Sequence, residues 1–204
     1  MGFYGDQIVP RVTDLALRGH AFESLRERAA TGLDGEVLEI GFGSGRNLPH
    51  FPEGVVRLWA VEPSSVARKL AEARVAASPV PVEHVALDGE ELPLEDASAD
   101  HVLSTWTLCT IPDVARALGE VRRVLRAGGA LHFVEHGQAP EARVARWQDR
   151  LTPLQRRVAG GCHLNRPIDD LITDAGLELE RLDHPKVPGP RAYTYTYEGV
   201  ARKR

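Results

Sequence analysis

Apolar positions along the chain fall into short blocks whose spacing changes near Glu36. Before that point Ile8, Val12, Leu15 and Ala16 recur at helical spacing, and Leu17, Phe22 and Leu25 extend the pattern less regularly, so residues 1–35 read as a helical arm. After it, Val37–Ile40 and Leu58–Val61 are compact apolar runs of strand length. Between the second run and the next, Val66, Leu70, Ala73 and Ala77 share one face of a helix starting at Ser65. Val82–Leu87 and His101–Thr105 read as the third and fourth strands. Asp113 is a natural cap for a helix carrying the stripe Val114, Leu118, Val121 and Leu125. Gly128-Gly129 reads as the end of that helix and Ala130–Val134 as a fifth strand. A helical connection follows through Val144, Trp147, Leu151 and Leu154. The next helix opens at Asn165-Arg166-Pro167, has Asp169 and Asp170 near its positive end, and closes at Gly176. Leu177–Leu182 and Tyr193–Val200 are the last two strands.

Five strands separated by helices predict a parallel sheet covered on both faces, an α/β fold of Rossmann-like type. Only a proline-marked connection (Pro185, Pro188, Pro190) joins the last two strands, so they are expected to pair antiparallel at one sheet edge. Residues 36–204 contain no internal boundary, and the whole of 1–204 is read as one domain with the arm at its front.

Composition narrows the class. With 43% hydrophobic and 26% charged residues among 204, a disordered or fibrous chain is excluded. Two cysteines, Cys109 and Cys162, cannot build a disulfide framework, and no cationic-then-apolar signal opens the chain. No apolar run approaches the ~18 residues needed to cross a bilayer. A formal charge of −4 and a pI near 6.1 argue against a nucleic acid partner. The expectation is a soluble, cytoplasmic domain without an integral membrane segment. The basic end, Arg202-Lys203-Arg204, reads as a frayed terminus.

The first strand runs into Gly41-Phe42-Gly43-Ser44-Gly45, at the edge of the sheet where α/β folds bind ligands. Glycines there let backbone amides approach a ligand closely. The dinucleotide fingerprint needs a third glycine at position 46, which is Arg, and Glu39 places an acid just before the loop. That combination suits a ligand carrying an ammonium group better than a pyrophosphate. Glu62 ends the second strand, 21 positions after Gly41, where a carboxylate can accept both hydroxyls of a ribose. Asp88-Gly89 follows the third strand and could receive an adenine amino group.

Glu39-Ile40-Gly41-Phe42-Gly43-Ser44-Gly45, Val61-Glu62-Pro63, Asp88-Gly89-Glu90-Glu91-Leu92-Pro93-Leu94 and Leu125-Arg126-Ala127-Gly128-Gly129 together resemble class I S-adenosylmethionine-dependent methyltransferases. The resemblance spans residues 36–204. It implies a seven-stranded sheet with the last strand inserted antiparallel, and S-adenosyl-L-methionine as the cofactor. It places Glu62 at the ribose, Asp88 with Gly89 at the adenine, and the methionine along Gly41, Gly43 and the neighbouring backbone, with Glu39 supporting the loop; Phe42, Gly45, Pro63 and Glu90 are further cofactor-side residues. Asn47, Thr105 and Leu108 join this cofactor side.

Leu108-Cys109-Thr110-Ile111, Glu135-His136 and Gly161-Cys162-His163-Leu164-Asn165-Arg166 are similar to motifs of the alkyl-thiol branch of the methyltransferase-like proteins. Ile8-Val9-Pro10-Arg11 and Asp14-Leu15 share that likeness. A small-molecule thiol is therefore the favoured methyl acceptor, and a thiol with a pKa near 8.5 needs little help from a base. Members of that branch are generally membrane-attached through an apolar N-terminal segment, which is absent from this sequence. Phospholipid, quinone or other O-, N- or C-methylation is an alternative, as are a nicotinamide-dependent oxidoreductase and a non-catalytic cofactor-binding module. His136, with Glu135, is the candidate acid–base pair, and equally a structural one. Tyr4, Asp14, Trp106, Cys109, Cys162 and Arg166 are candidates for the acceptor side, where Arg166 and Asn165 could instead cap the last helix. Cys162-His163 with Cys109 and His136 offers metal-type side chains, but no pair has ligand spacing along the chain, and no metal is expected.

Overall fold

In a computed structural model that describes residues 4–86 and 89–204, the apolar run Gly35–Ile40 forms the central strand β1. It runs parallel to β2 (Val55–Val61) on one side and β4 (Ala99–Thr105) on the other. β3 (Val82–Ala86) extends the sheet beyond β2, and β5 (Leu125–His136) beyond β4. β7 (Thr196–Arg202) lies antiparallel between β5 and β6 (Glu178–Asp183), giving seven strands in the order β3-β2-β1-β4-β5-β7-β6. The chain order reverses direction between β1 and β4, which opens a crevice at their carboxyl ends.

Seven α-helices cover the sheet among the described residues: α1 (Val9–Ala16), α2 (His20–Ala30), α3 (Ser65–Ala77), α4 (Val114–Val124), α5 (Ala142–Val158), α6 (Ile168–Asp174) and the short α7 (Arg191–Thr194). Successive strand residues feed opposite layers, as the two-residue period requires. Leu38, Ile40 and Val102 join Leu118 and Val121 of α4 in one core, whereas Val37, Leu58 and Leu103 join Leu25 and Ala29 of α2 in the other. The second helix of the arm thus contributes to the core.

Several predicted boundaries move. α4 stops at Val124, and Gly128-Gly129 lie inside β5, where the Gly128 amide donates to Lys203 (2.8 Å) and the Lys203 amide to Gly129 (2.9 Å). The basic terminus is therefore tied down: Lys203 Nζ also donates to the Leu125 carbonyl at 2.5 Å. Asp113 caps α4 as expected, accepting from the Arg116 amide at 3.0 Å. The last strand starts at Thr196 because the chain after Pro190 first makes the helical turn of α7. The third strand is described to Ala86, so Leu87 lies outside the described residues.

Helix α1 has the predicted periodicity with an unusual orientation. Val12 (56% exposed) and Leu15 (64%) face out, while Asp14 (8%) faces in. Asp14 is drawn inward by the hydrogen-bond donors of the glycine loop, described below. Leu118→Ala, in the α4 core, is expected to destabilise the fold by about 2–5 kcal/mol. Leu15→Ala, on the outer face of α1, should stay within about 0.5 kcal/mol of the parent. Urea unfolding of both variants checks the pair.

Candidate active site

A cavity of about 500 Å³ opens at the carboxyl ends of β1, β2 and β4, closed on its outer side by α1. The glycine loop forms its floor. Gly41, Gly43 and Gly45 all have left-handed backbones (φ +76°, +58° and +73°), which only glycine adopts without strain. At Gly41 the requirement is also steric, because a Cβ there would stand 1.9 Å from Thr107 Oγ1. After Gly45 the chain makes a 3-10 turn, Leu48–His50, rather than a long helix whose N-terminus could receive a diphosphate.

Glu62 ends β2 and faces the cavity. Its Oε2 accepts from the Gly43 amide (2.8 Å) and its Oε1 from the Ser64 amide (2.7 Å), so two backbone groups fix the plane of the carboxylate. Burial pushes its pKa up, while those two bonds pull it back. Pro63, Gly89, Glu90, Thr105 and Trp106 also line the cavity; Glu90 Oε1 accepts from the Asp113 amide at 2.8 Å. Asp88 lies outside the described residues.

Glu39 and Asn47 stand one layer behind the loop. Asn47 Nδ2 donates to Glu39 Oε1 (2.7 Å) and to Thr105 Oγ1 (3.0 Å), and Arg26 Nη1 donates to Asn47 Oδ1 (3.0 Å). Gly45 and Leu108 are likewise behind the lining, so these four residues of the expected cofactor side stand outside the cavity wall. Burial pushes the Glu39 carboxyl up to about 8 despite the Asn47 bond and the nearby Arg26 charge.

Two acceptor-side expectations from the arm divide. Asp14 reaches the cavity: its Oδ1 accepts from Ser44 Oγ (2.5 Å) and Arg46 Nε (2.8 Å), tying α1 to the glycine loop. Those bonds, together with Arg18, overcome burial and hold the carboxyl well below its usual range. Tyr4 instead donates its hydroxyl to the Val158 carbonyl at 2.9 Å, and it is exposed. Trp106 takes a left-handed backbone (φ +52°) and lines the cavity, with Arg26 over its ring and Phe22 at its edge.

The turn after β4 is held from two sides by charges that do not line the cavity. Glu135 Oε1 accepts from the amides of Thr107 (2.9 Å) and Leu108 (3.0 Å) and from Ser104 Oγ (2.8 Å). Arg166 donates to the carbonyls of Leu108, Ile111 and Pro112. Both are positioning residues, and Arg166 neither caps α6 nor lines the cavity. His136 is not at the cavity either: its Nε2 is 2.9 Å from Cys162 Sγ. Hydrogen bonding from the Cys109 thiol, then from His136, holds the Cys162 thiol below its ordinary range, and Cys109 is raised correspondingly. Sequence reading missed Arg26 and Arg46 as cavity-lining cations, although Arg46 was visible as the residue replacing the fingerprint glycine.

Two expectations follow. Gly41→Ala forces the loop and Thr107 apart, so it should cost both stability and cofactor affinity by more than about 1 kcal/mol each, measured by melting and by ligand titration. For Glu39, the unfolded chain loses the proton near 4.5 and the folded chain near 8, so rising pH between those values favours unfolding. Glu39→Gln should flatten the fall in melting temperature across that window, and parallel profiles for the two proteins would contradict the assignment.

Comparison with known proteins agrees with this geometry. A methyltransferase domain family matches residues 38–133. The chain is 30% identical to thiol S-methyltransferase TMT1A of Homo sapiens over 194 residues, covering 91% of this chain and 75% of that protein. It is 31% identical to thiol S-methyltransferase TMT1B of Rattus norvegicus, covering 71% of this chain and 61% of that protein, so it spans well under the full length of this relative. Among solved structures, an S-adenosylmethionine-dependent methyltransferase of Thermotoga maritima superposes with a TM-score of 0.70 at 23% identity, covering all of both chains. The crevice at the strand ends, the carboxylate just after β2 and the likeness to TMT1A over 91% of this chain lead to one conclusion: the chain belongs to the class I S-adenosylmethionine-dependent methyltransferases.

Proposed function

We propose that this protein methylates a small thiol, with S-adenosyl-L-methionine as the methyl donor. The cavity residues fit that cofactor. Glu62 offers its remaining lone pairs to vicinal ribose hydroxyls, from an orientation fixed by two amides. Gly41 and Gly43 leave the floor free of side chains, and the absence of a helix start after Gly45 disfavours a dinucleotide. When bound, the cofactor supplies an electrophilic methyl carbon to an incoming nucleophile.

The acceptor reading rests on one observation: among the described residues, no His, Lys, Tyr or Cys lines the cavity. Its carboxylates are engaged, Asp14 by Ser44 and Arg46, Glu62 by two amides, and Glu90 by the Asp113 amide. A phenol or an ammonium would arrive protonated at neutral pH and need a base that this lining does not present. A thiol is partly ionised already, so it needs less help from a base. Val9, Leu17, Ile40, Ile111 and Trp106 add apolar walls suited to an alkyl or aryl body, and α1 shields the reacting groups from water. The thiol S-methyltransferase names of the relatives support the same acceptor class. His136 is not needed as a base in this scheme.

S-adenosylhomocysteine release, measured across thiols, phenols, amines and lipids, tests the proposal. Thiols should give product with a rate that rises toward the acceptor's own pKa. Product from phenols or amines, with none from thiols, would overturn it.

A further inference from the structure

Three side chains with no part in the scheme above meet at one buried point. Cys109 sits in the turn after β4, His136 ends β5, and Cys162 follows the turn after α5. One ligand atom from each lies within 4.8 Å of the others, and both cysteines are buried and free of any disulfide. None of the three lines the cavity. No two of them are close enough in sequence to show metal-ligand spacing, because each comes from a different element.

We propose that Cys109, His136 and Cys162 bind a soft divalent cation, with Zn²⁺ the best match. Two thiolates and an imidazole form a donor set that zinc accepts and that magnesium or calcium, which seek oxygen, do not. With Zn–S near 2.3 Å and Zn–N near 2.0 Å, tetrahedral donors stand roughly 3.5–3.8 Å apart, so the separations here, from 2.9 Å between His136 and Cys162 to at most 4.8 Å, need change by no more than about 1.3 Å. The charges balance: each cysteine releases its thiol proton to solvent, the imidazole binds neutral, and the two thiolates neutralise the ion. Three protein donors leave one position for water or another non-protein ligand.

A packing role alone would surround a buried thiol with apolar groups. Beside its apolar neighbours Leu151, Ala159 and Leu164, Cys162 Sγ has an imidazole nitrogen at 2.9 Å and the Gln155 amide at 3.8 Å. The turn that delivers it is preset by Gly160 and Gly161 (φ +60° and +90°), and the His163 amide donates to the Cys109 carbonyl at 2.8 Å. An ion here would fasten two cavity walls together, because Thr107, Thr110 and Ile111 lie on one side and Ala159 and Gly160 on the other. The inference stands apart from the identity of the methyl acceptor.

The test uses Co²⁺ as a spectroscopic substitute for Zn²⁺, added to the reduced, chelator-stripped full chain. One equivalent should produce thiolate-to-cobalt charge-transfer absorption in the near ultraviolet together with visible d–d bands of a tetrahedral site. One equivalent of Zn²⁺ should abolish both. Cys162→Ser and His136→Ala should each weaken cobalt binding by at least about tenfold. The wild-type titration decides the matter even where a variant fails to fold: no thiolate band at excess Co²⁺ overturns the proposal. A band that persists unchanged in both folded variants overturns it too.

Discussion

The turn from Thr107 to Pro112 is held between two buried charges, and the cavity depends on that grip. Glu135 takes amide hydrogens of Thr107 and Leu108, while Arg166 donates to carbonyls of Leu108, Ile111 and Pro112. Each is a charge-assisted bond in a desolvated setting, where removing one partner leaves a charge or a polar backbone group unpaired. The consequence reaches the cofactor side through a single contact. Thr107 rests against Gly41 so closely that no side chain fits between them, so the position of the turn fixes the position of the glycine loop. The spacing between the β1 and β4 ends, where donor and acceptor must meet, is therefore set from behind the wall.

A second tie closes the front. Asp14 is an inward residue of a helix on which Val12 and Leu15 point away from the protein, an arrangement that hydrophobic burial alone would reverse. Ser44 and Arg46 make the difference, since both donate to the same carboxylate oxygen. Arg46 thus serves twice: it removes the third glycine of a dinucleotide loop, and it anchors the arm that covers the loop. With Arg26 packed over Trp106, the cavity is walled by two guanidinia, the three carboxylates of Asp14, Glu62 and Glu90, and apolar groups. Those carboxylates already accept hydrogen bonds, and no His, Lys, Tyr or Cys stands among the described lining residues, which is the physical basis for preferring a thiol.

Much of this was legible in the residues. The run Val37–Ile40 into three glycines, the acid at Glu62 and the stripe of α4 each depend on local spacing, and each appears where spacing puts it. Less legible was anything decided by partners distant in sequence. Gly128-Gly129 read as a helix stop because glycines usually are, yet pairing with Lys203, more than seventy residues on, makes them strand. Glu135, His136 and Arg166 carry reactive groups in suggestive motifs, and nothing local reveals that they face away from the cavity. The outward apolar face of α1 was hidden for the same reason. Cys109, His136 and Cys162 show the opposite error: side chains too scattered along the chain to suggest a cluster are neighbours in space.

The central claim is that Glu62 and the glycine loop form a site for S-adenosylmethionine. Isothermal titration of the intact chain with S-adenosylhomocysteine, beside a nicotinamide dinucleotide, tests it most directly. The account predicts saturable one-site binding of the first ligand and none of the second. Glu62→Ala should weaken that binding about ten- to hundredfold, as loss of hydrogen bonds to a charged group does. Binding of the dinucleotide alone, or an affinity for S-adenosylhomocysteine that Glu62→Ala leaves unchanged in a folded protein, would contradict it.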